Sequence, residues 1–220
     1  MLVHLAIFAK YWEPGKVKTR LAKKLGEQLA CDVYVTFLQY LLEQFSGFGD
    51  QRTVVYTPLE SEALFREAVP QAWGMQSQAD GDLGVRMQTF FESCGDNANR
   101  KNILIGSDTP DLPLEVMQQA ADALNDVPVV IGPSADGGYY LIGIRGEVPD
   151  IFAGVPWSTE QVLQLTLAKL QQQEVPCRLL PELKDVDELE DLQRLLDILN
   201  NGGQHDELLA GLQRLELPIA

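Results

Sequence analysis

The chain has 220 residues, 45% of them hydrophobic, and a formal net charge of −15 from 32 acids against 17 Lys and Arg. That length carries one core of good size as a single domain. The acidic balance excludes nucleic acid or an anionic membrane as the main partner, because both would be repelled over most of the surface.

The first segment, LVHLAIFA (2–9), is apolar and reads as a buried strand. It lacks the basic leader and small-residue cleavage site of a signal peptide, and no apolar run reaches the roughly 20 residues that span a bilayer. Cys31, Cys94 and Cys177 lie far apart without a CxxC pair. Such spacing fits the reducing cytoplasm.

After the strand comes AKYWEPGKVKTRL, where the charge balance inverts. Between residues 10 and 24 six cations (Lys10, Lys16, Lys18, Arg20, Lys23 and Lys24) stand against Glu13 alone. A basic loop in an acidic chain points to an anionic ligand. Gly15 lets backbone approach it, while Lys16, Lys18 and Arg20 supply long donors; Arg grips phosphate with two parallel bonds and Lys acts as a movable point charge. The plainer alternative is a solvated basic helix start. Neither GxxxxGK(S/T) nor GxGxxG occurs.

A predicted amphipathic helix over 26–46 precedes a second strand, RTVVYT (52–57), and a shorter helix covers 60–69. QADGDLGVRM (78–87) opens the next helix, 82–93, with Asp82 as its cap and Leu83, Met87, Phe90 and Phe91 on the core face. Gly81 and Gly84, with Arg86 nearby, either admit a nucleotide base or sugar or form an ordinary glycine-rich helix entry.

The third strand, KNILIG (101–106), runs into SDTPDLP (107–113). Asp108 falls just past a central strand beside the basic loop, a suitable place for Mg²⁺, which takes a few carboxylates plus substrate phosphates. Asp111 reads as a turn or N-cap residue, and Pro113 suits the first turn of a helix over 113–124. PVVIGP (128–133) and YYLIGIRG (139–146) are separated by too few residues for a helix, so this part of the sheet is antiparallel or mixed. Asp136 with Gly137 and Gly138 makes either a plain Asp-Gly turn or a close backbone approach to a ligand.

In PWSTEQV (156–162) the spacing of Ser158 and Gln161 predicts a capping box for a helix over 158–173, with Trp157 in the core. Asp185 and Asp187 precede an amphipathic helix over 188–200 and read as cap or helix-dipole residues. A loop and one last amphipathic helix end the chain.

Strand–helix alternation predicts an α/β sandwich with a largely parallel, mixed sheet in one domain. Ligands then bind at the C-terminal ends of the strands, in the loops after residues 9, 106 and 133. With only His4 and His205 and no GxSxG, a histidine-type zinc site and a serine hydrolase are excluded. Chemistry by a metal and cations remains, as in phosphoryl and nucleotidyl transfer.

PGKVKTRL (14–21), GDLGVRM (81–87), IGSDTPDLP (105–113), GPSADGGYYLIG (132–143), PWSTEQVL (156–163) and DVDELEDL (185–192) occur in this order. Together they resemble the DUF2064-type family of bacterial glycosyltransferase-like proteins associated with radical-SAM genes, over residues 1 to about 200. The resemblance implies the nucleotide-diphospho-sugar transferase superfamily and its GT-A fold, a Rossmann-like three-layer α/β/α sandwich. KTRL and SDTPDLP are more distantly similar to segments of 2-phospholactate and molybdenum-cofactor guanylyltransferases, and DVDELEDL to the DxDTPEDL segment of sugar nucleotidyltransferases. The first loop here has only Gly15 where those relatives are richer in glycine, and Glu188 and Leu189 replace Thr and Pro.

The residues themselves nominate Lys10 and Gly15 beside the phosphates and Gly81, Gly84, Arg86, Gly137 and Gly138 around the substrate, and the resemblance, carried onto this chain, places Lys16, Lys18 and Arg20 at nucleotide phosphates. It makes Asp108 and Asp187 ligands of Mg²⁺ or Mn²⁺, gives Lys18 and Arg20 the charge on the departing phosphate, and leaves Asp136 as the candidate base. The implied activity is metal-dependent transfer from a nucleotide or nucleotide sugar to a small acceptor, glycosyl or nucleotidyl. A non-catalytic nucleotide sensor and a protein-interaction module remain as alternatives.

Overall fold

A computed structural model describes residues 1–95, 99–202 and 205–218. Seven strands form one sheet in the order β3-β2-β1-β4-β6-β5-β7. They are β1 (Leu2–Lys10), β2 (Gln51–Thr57), β3 (Gly74–Ser77), β4 (Arg100–Ile105), β5 (Val129–Pro133), β6 (Tyr139–Arg145) and β7 (Cys177–Leu179). All neighbouring pairs run parallel except those that β6 makes with β4 and β5. The antiparallel step is the one expected from the short SADGG connection.

Central strands are apolar on both sides because helices cover both. Along β1, Leu5, Ile7 and Ala9 pack on one face with α2 (Glu27–Gln44), α3 (Glu62–Ala68) and α5 (Leu114–Ala123). Ala6 faces the other way, toward α4 (Leu83–Ser93) and α6 (Val162–Gln172). The period of two along the strand thus sorts the residues into the two cores of a three-layer α/β/α sandwich. A third apolar cluster lies outside it. There α1 (Thr19–Leu25), α7 (Leu189–Gly202) and α8 (Asp206–Gln213) close over the outer side of α2, around Leu21, Phe37, Val186 and Leu195.

Two strands, β3 and β7, were not among the predicted elements, and α1 was anticipated only as the alternative basic helix start. The two strands lie at the sheet edges, and none of their residues is buried. The capping box at Ser158 is absent. Ser158 sits in the left-handed region (φ 65°), and α6 starts later, with Gln161 as its N-cap and no side-chain cap bond. Asp111 lies in a turn closed by the Leu112 amide on the Thr109 carbonyl, and Pro113 occupies the N-cap of α5. Asp82 does cap α4, accepting from the Val85 amide at 2.9 Å.

The chain steps outward from β1 to β2 and β3, then returns to place β4 on the other side of β1. Loops leaving the C-terminal ends of β1 and β4 therefore diverge and leave a crevice at this switch point.

Candidate active site

The basic loop and the SDTPDLP loop form that crevice. A cavity of about 790 Å³ opens there, lined by Lys18, Arg20, Asp108, Asp136 and Asp187 together with the 158–161 segment. Behind it a narrower chamber of about 340 Å³ adds Asp185, Gly138 and the aromatic walls of Phe8, Tyr139 and Trp157. Trp157 meets its expected place by packing on the α4–α6 core, yet it also walls this chamber.

Backbone pairing brings the distant acids together. The segment before α7 runs beside the end of β5: Leu183 donates to the Pro133 carbonyl at 3.1 Å, and Ala135 donates to the Leu183 carbonyl at 2.9 Å. The Val186 amide then reaches the Asp108 carbonyl at 2.9 Å. Asp187 is not consumed by capping α7. Asp191 does that work, its Oδ2 accepting the amides of Glu188 at 2.9 Å and Asp187 at 3.2 Å, the returning half of a capping box.

Lys18 lies at the centre. Its backbone takes the left-handed conformation (φ 46°, ψ 44°) at the N-cap of α1, and its side chain is only 2% exposed. The ammonium pairs with Asp108, stands 3.6 Å from Asp187 and donates to the Val186 carbonyl at 2.7 Å. The ring of Phe37 lies 5.7 Å beneath it. Asp108 and Asp187 keep 45% and 41% of their side chains exposed toward the cavity.

Two acids complete the cluster. Asp136 accepts from the Gly138 amide at 2.9 Å, closing the turn between β5 and β6, and its side chain still lines both cavities. Asp185 accepts from the Thr109 hydroxyl at 2.6 Å. Burial, reinforced by the charges of Asp108, Asp136 and Asp187, pushes its carboxyl up to about 6. Burial also raises Asp187, outweighing the opposing Lys18 ammonium.

The remaining sequence-predicted residues divide sharply. Lys10 and Lys16 do not line the cavity; the Lys10 ammonium is tied to the Lys16 carbonyl at 2.9 Å. Lys23 and Lys24 form the solvated last turn of α1. Gly15 faces Glu27, and Gly81 packs on Val85. Gly84 is filled rather than open, since an added Cβ would meet Trp157 Nε1 at 2.5 Å and the Phe152 carbonyl at 2.7 Å. Arg86 turns back onto the Gly81 carbonyl and Gln78. Gly137 is pressed against Glu160 backbone, which supports the 158–161 segment. Sequence reasoning missed Ser158, Thr159 and Glu160 as cavity walls, because PWSTEQV looks like a helix start.

Five carboxylates (Asp108, Asp136, Glu160, Asp185 and Asp187) line the two cavities against two cations, Lys18 and Arg20, leaving three negative charges in excess. Phosphates would be repelled without a further cation. Among the described residues no three His, Cys, Asp or Glu side chains form a ready-made metal cage. Two exposed hard-oxygen ligands instead suit Mg²⁺ or Mn²⁺ arriving with substrate phosphates, so the residues fit such an ion.

The sequence profile of the family described as "uncharacterized protein conserved in bacteria (DUF2064)" matches residues 42–159. A putative nucleotide-diphospho-sugar transferase from Desulfovibrio desulfuricans G20 is 33% identical, with 97% of this chain and 95% of that one covered and a TM-score of 0.86. A cytidylyltransferase from Leptospira borgpetersenii shares the fold at 14% identity and a TM-score of 0.57, covering 100% and 98% of the two chains. Rv0371c of Mycobacterium tuberculosis H37Rv, solved in complex with manganese, does so at 17% identity and 0.50, covering 89% and 98%. No curated protein matches the chain in sequence. The fold is that of the nucleotide-diphospho-sugar transferases. No helix among the described residues is long and apolar enough to cross a membrane.

Proposed function

The chain belongs to the DUF2064 family of bacterial proteins, and we propose that it is a metal-dependent transferase acting on a nucleotide or nucleotide sugar. The observation that carries this reading is the convergence of Asp108 and Asp187 with Arg20 at the mouth of a cavity large enough for a nucleotide. Asp108 and Asp187 would hold Mg²⁺ or Mn²⁺. When bound, that ion supplies Lewis-acid stabilisation of charge on the departing phosphate. Arg20, exposed at the rim, grips a phosphate from the solvent side with paired donors.

Asp136 lies on the far wall, where its free carboxylate oxygen can accept a proton from an incoming hydroxyl. Asp185 holds the Thr109 hydroxyl and so fixes the loop that carries Asp108. The shared fold of cytidylyltransferases supports nucleotidyl transfer, and the description of the 33%-identical relative as a putative nucleotide-diphospho-sugar transferase supports a nucleotide-sugar substrate.

Thermal unfolding against nucleoside triphosphates and nucleotide sugars, with and without Mn²⁺, tests the proposal. A ligand at a hundred times its Kd adds about 2.7 kcal/mol, or roughly 5–10 °C in Tm for a chain of this size. A shift that needs metal supports the transferase, and triphosphate against nucleotide-sugar preference names the reaction. A metal-independent shift favours a nucleotide sensor. No shift with any ligand overturns the reading.

A further inference from the structure

We propose that Lys18 is the resident counter-cation of the acid pair, holding the place a divalent cation would take until a metal-bearing nucleotide draws the ammonium onto its phosphates. The inference rests on Asp108 and Asp187 being the metal-binding pair. Lys16 in the same loop and Arg20 in the first turn of α1 are exposed, whereas the Lys18 side chain is almost wholly enclosed. Its left-handed backbone aims the stem inward over Phe37, itself fully buried under α1 and α7. The ammonium is held by Asp108 and the Val186 carbonyl, with Asp187 adding a longer ion-pair contact at 3.6 Å.

A lysine ammonium and a divalent ion cannot share these carboxylates without strong repulsion, since unit charges this close interact by several kcal/mol even at a partly screened surface. Metal entry therefore requires Lys18 to swing away. The four-carbon stem allows that motion, and the nearest new anion is the phosphate that accompanies the metal. Metal and nucleotide binding then become reciprocally coupled through one residue. Without nucleotide the site resists free metal; with nucleotide it takes both.

Mn²⁺ titration of the full chain without nucleotide, read by the electron paramagnetic resonance of the free ion, tests this in wild type, Lys18→Met and Asp108→Asn. Lys18→Met should bind Mn²⁺ about tenfold or more tightly than wild type, because removing a buried partner leaves the carboxylates uncompensated. In the presence of CTP the order should reverse, since the variant loses its phosphate donor. Equal Mn²⁺ affinity in wild type and Lys18→Met, with binding lost in Asp108→Asn, overturns the counter-cation while leaving the metal site standing. Absence of Mn²⁺ binding in all three, with or without CTP, removes the metal site and the proposal together.

Wild-type protein gives a second readout that needs no variant. Acylation of Lys18 by acetic anhydride, followed by mass spectrometry, should be slow in metal-free protein, rise at saturating Mn²⁺ alone, and fall again when CTP gives the displaced ammonium its phosphates. Exposed Lys16 serves as the internal reference. Lys18 labelling that stays equally slow without and with saturating Mn²⁺ overturns the displacement.

Discussion

The amide of Val186 donates to the carbonyl of Asp108 at 2.9 Å, and this bond places two carboxylates from distant parts of the chain around one ammonium. Val186 is itself buried among Leu21, Phe37 and Leu195. Packing of the outer helices on α2 thereby fixes the spacing of the acids at the sheet's switch point.

Asp108→Asn should keep the fold and lose metal-dependent nucleotide binding. The side chain is nearly half exposed, and Lys18 retains Asp187 and the Val186 carbonyl. Calorimetric titration with CTP and Mn²⁺ should show at least about a hundredfold weaker binding, beyond the 10–100-fold typical of an altered outer-shell partner. Unchanged affinity in a cooperatively unfolding variant would sink the metal assignment.

Arg20→Met separates binding from stability. Arg20 is exposed at the cavity, and among the described residues its side chain makes no hydrogen bond or ion pair. Urea unfolding should change by no more than about 0.5 kcal/mol. Nucleotide affinity should fall about tenfold through loss of a charge-assisted contact to phosphate. A large stability loss would mean that Arg20 is structural.

The sheet and most helices were legible because apolar periodicity survives in every buried element. β3 and β7 were not, since GMQS and CRL lie at the edges with no buried residue to mark them. Helix α1 buries only Leu21, so TRLAKKL read first as a cation cluster and a helix start stood only as the plainer alternative. The site was legible in part. Asp108 stands out by following a central strand, and Arg20 by its charge. The role of Lys18 depends on a left-handed backbone and on partners beyond residue 100 in the chain, neither of which spacing reveals. Asp187 looked like a cap because it stands just before the helix, whereas the side chain that reaches back at this end is Asp191, which accepts the Glu188 and Asp187 amides.

Gly137→Ala should damage both fold and site. Gly137 has φ 88°, and an added Cβ would lie 2.3 Å from the Glu160 carbonyl oxygen and 2.6 Å from its Cα. The left-handed conformation costs a non-glycine residue roughly 1–2 kcal/mol, and overpacking against backbone adds about 1–3 kcal/mol. Gly146→Ala is the control, having φ 86° with open space around it, so only the first cost applies. Urea midpoints should fall clearly further for Gly137→Ala, and nucleotide affinity should fall only there, because Glu160 lines the cavity. Equal losses in both variants would show that the Glu160 contact carries no weight.

Acid should weaken the fold through His4, remote from the site. Its ring is buried and bonded to Asn102 at 3.1 Å and Thr53 at 2.9 Å. Burial, aided by the Arg100 charge, lowers its pKa below the usual 6.5 despite the Asn102 bond. Below pH 6.5 the unfolded chain takes up a proton that the folded protein still refuses. Stability due to His4 is therefore fully present above 6.5 and declines as pH falls toward the folded value. Chemical denaturation of wild type and His4→Gln at pH 8, 6.5 and 5 isolates this part from the carboxylates, which titrate in both. The stability difference between the two proteins should narrow from pH 8 to pH 5. A difference that stays constant, or widens toward acid, would mean that the His4 ring is not held neutral by its burial.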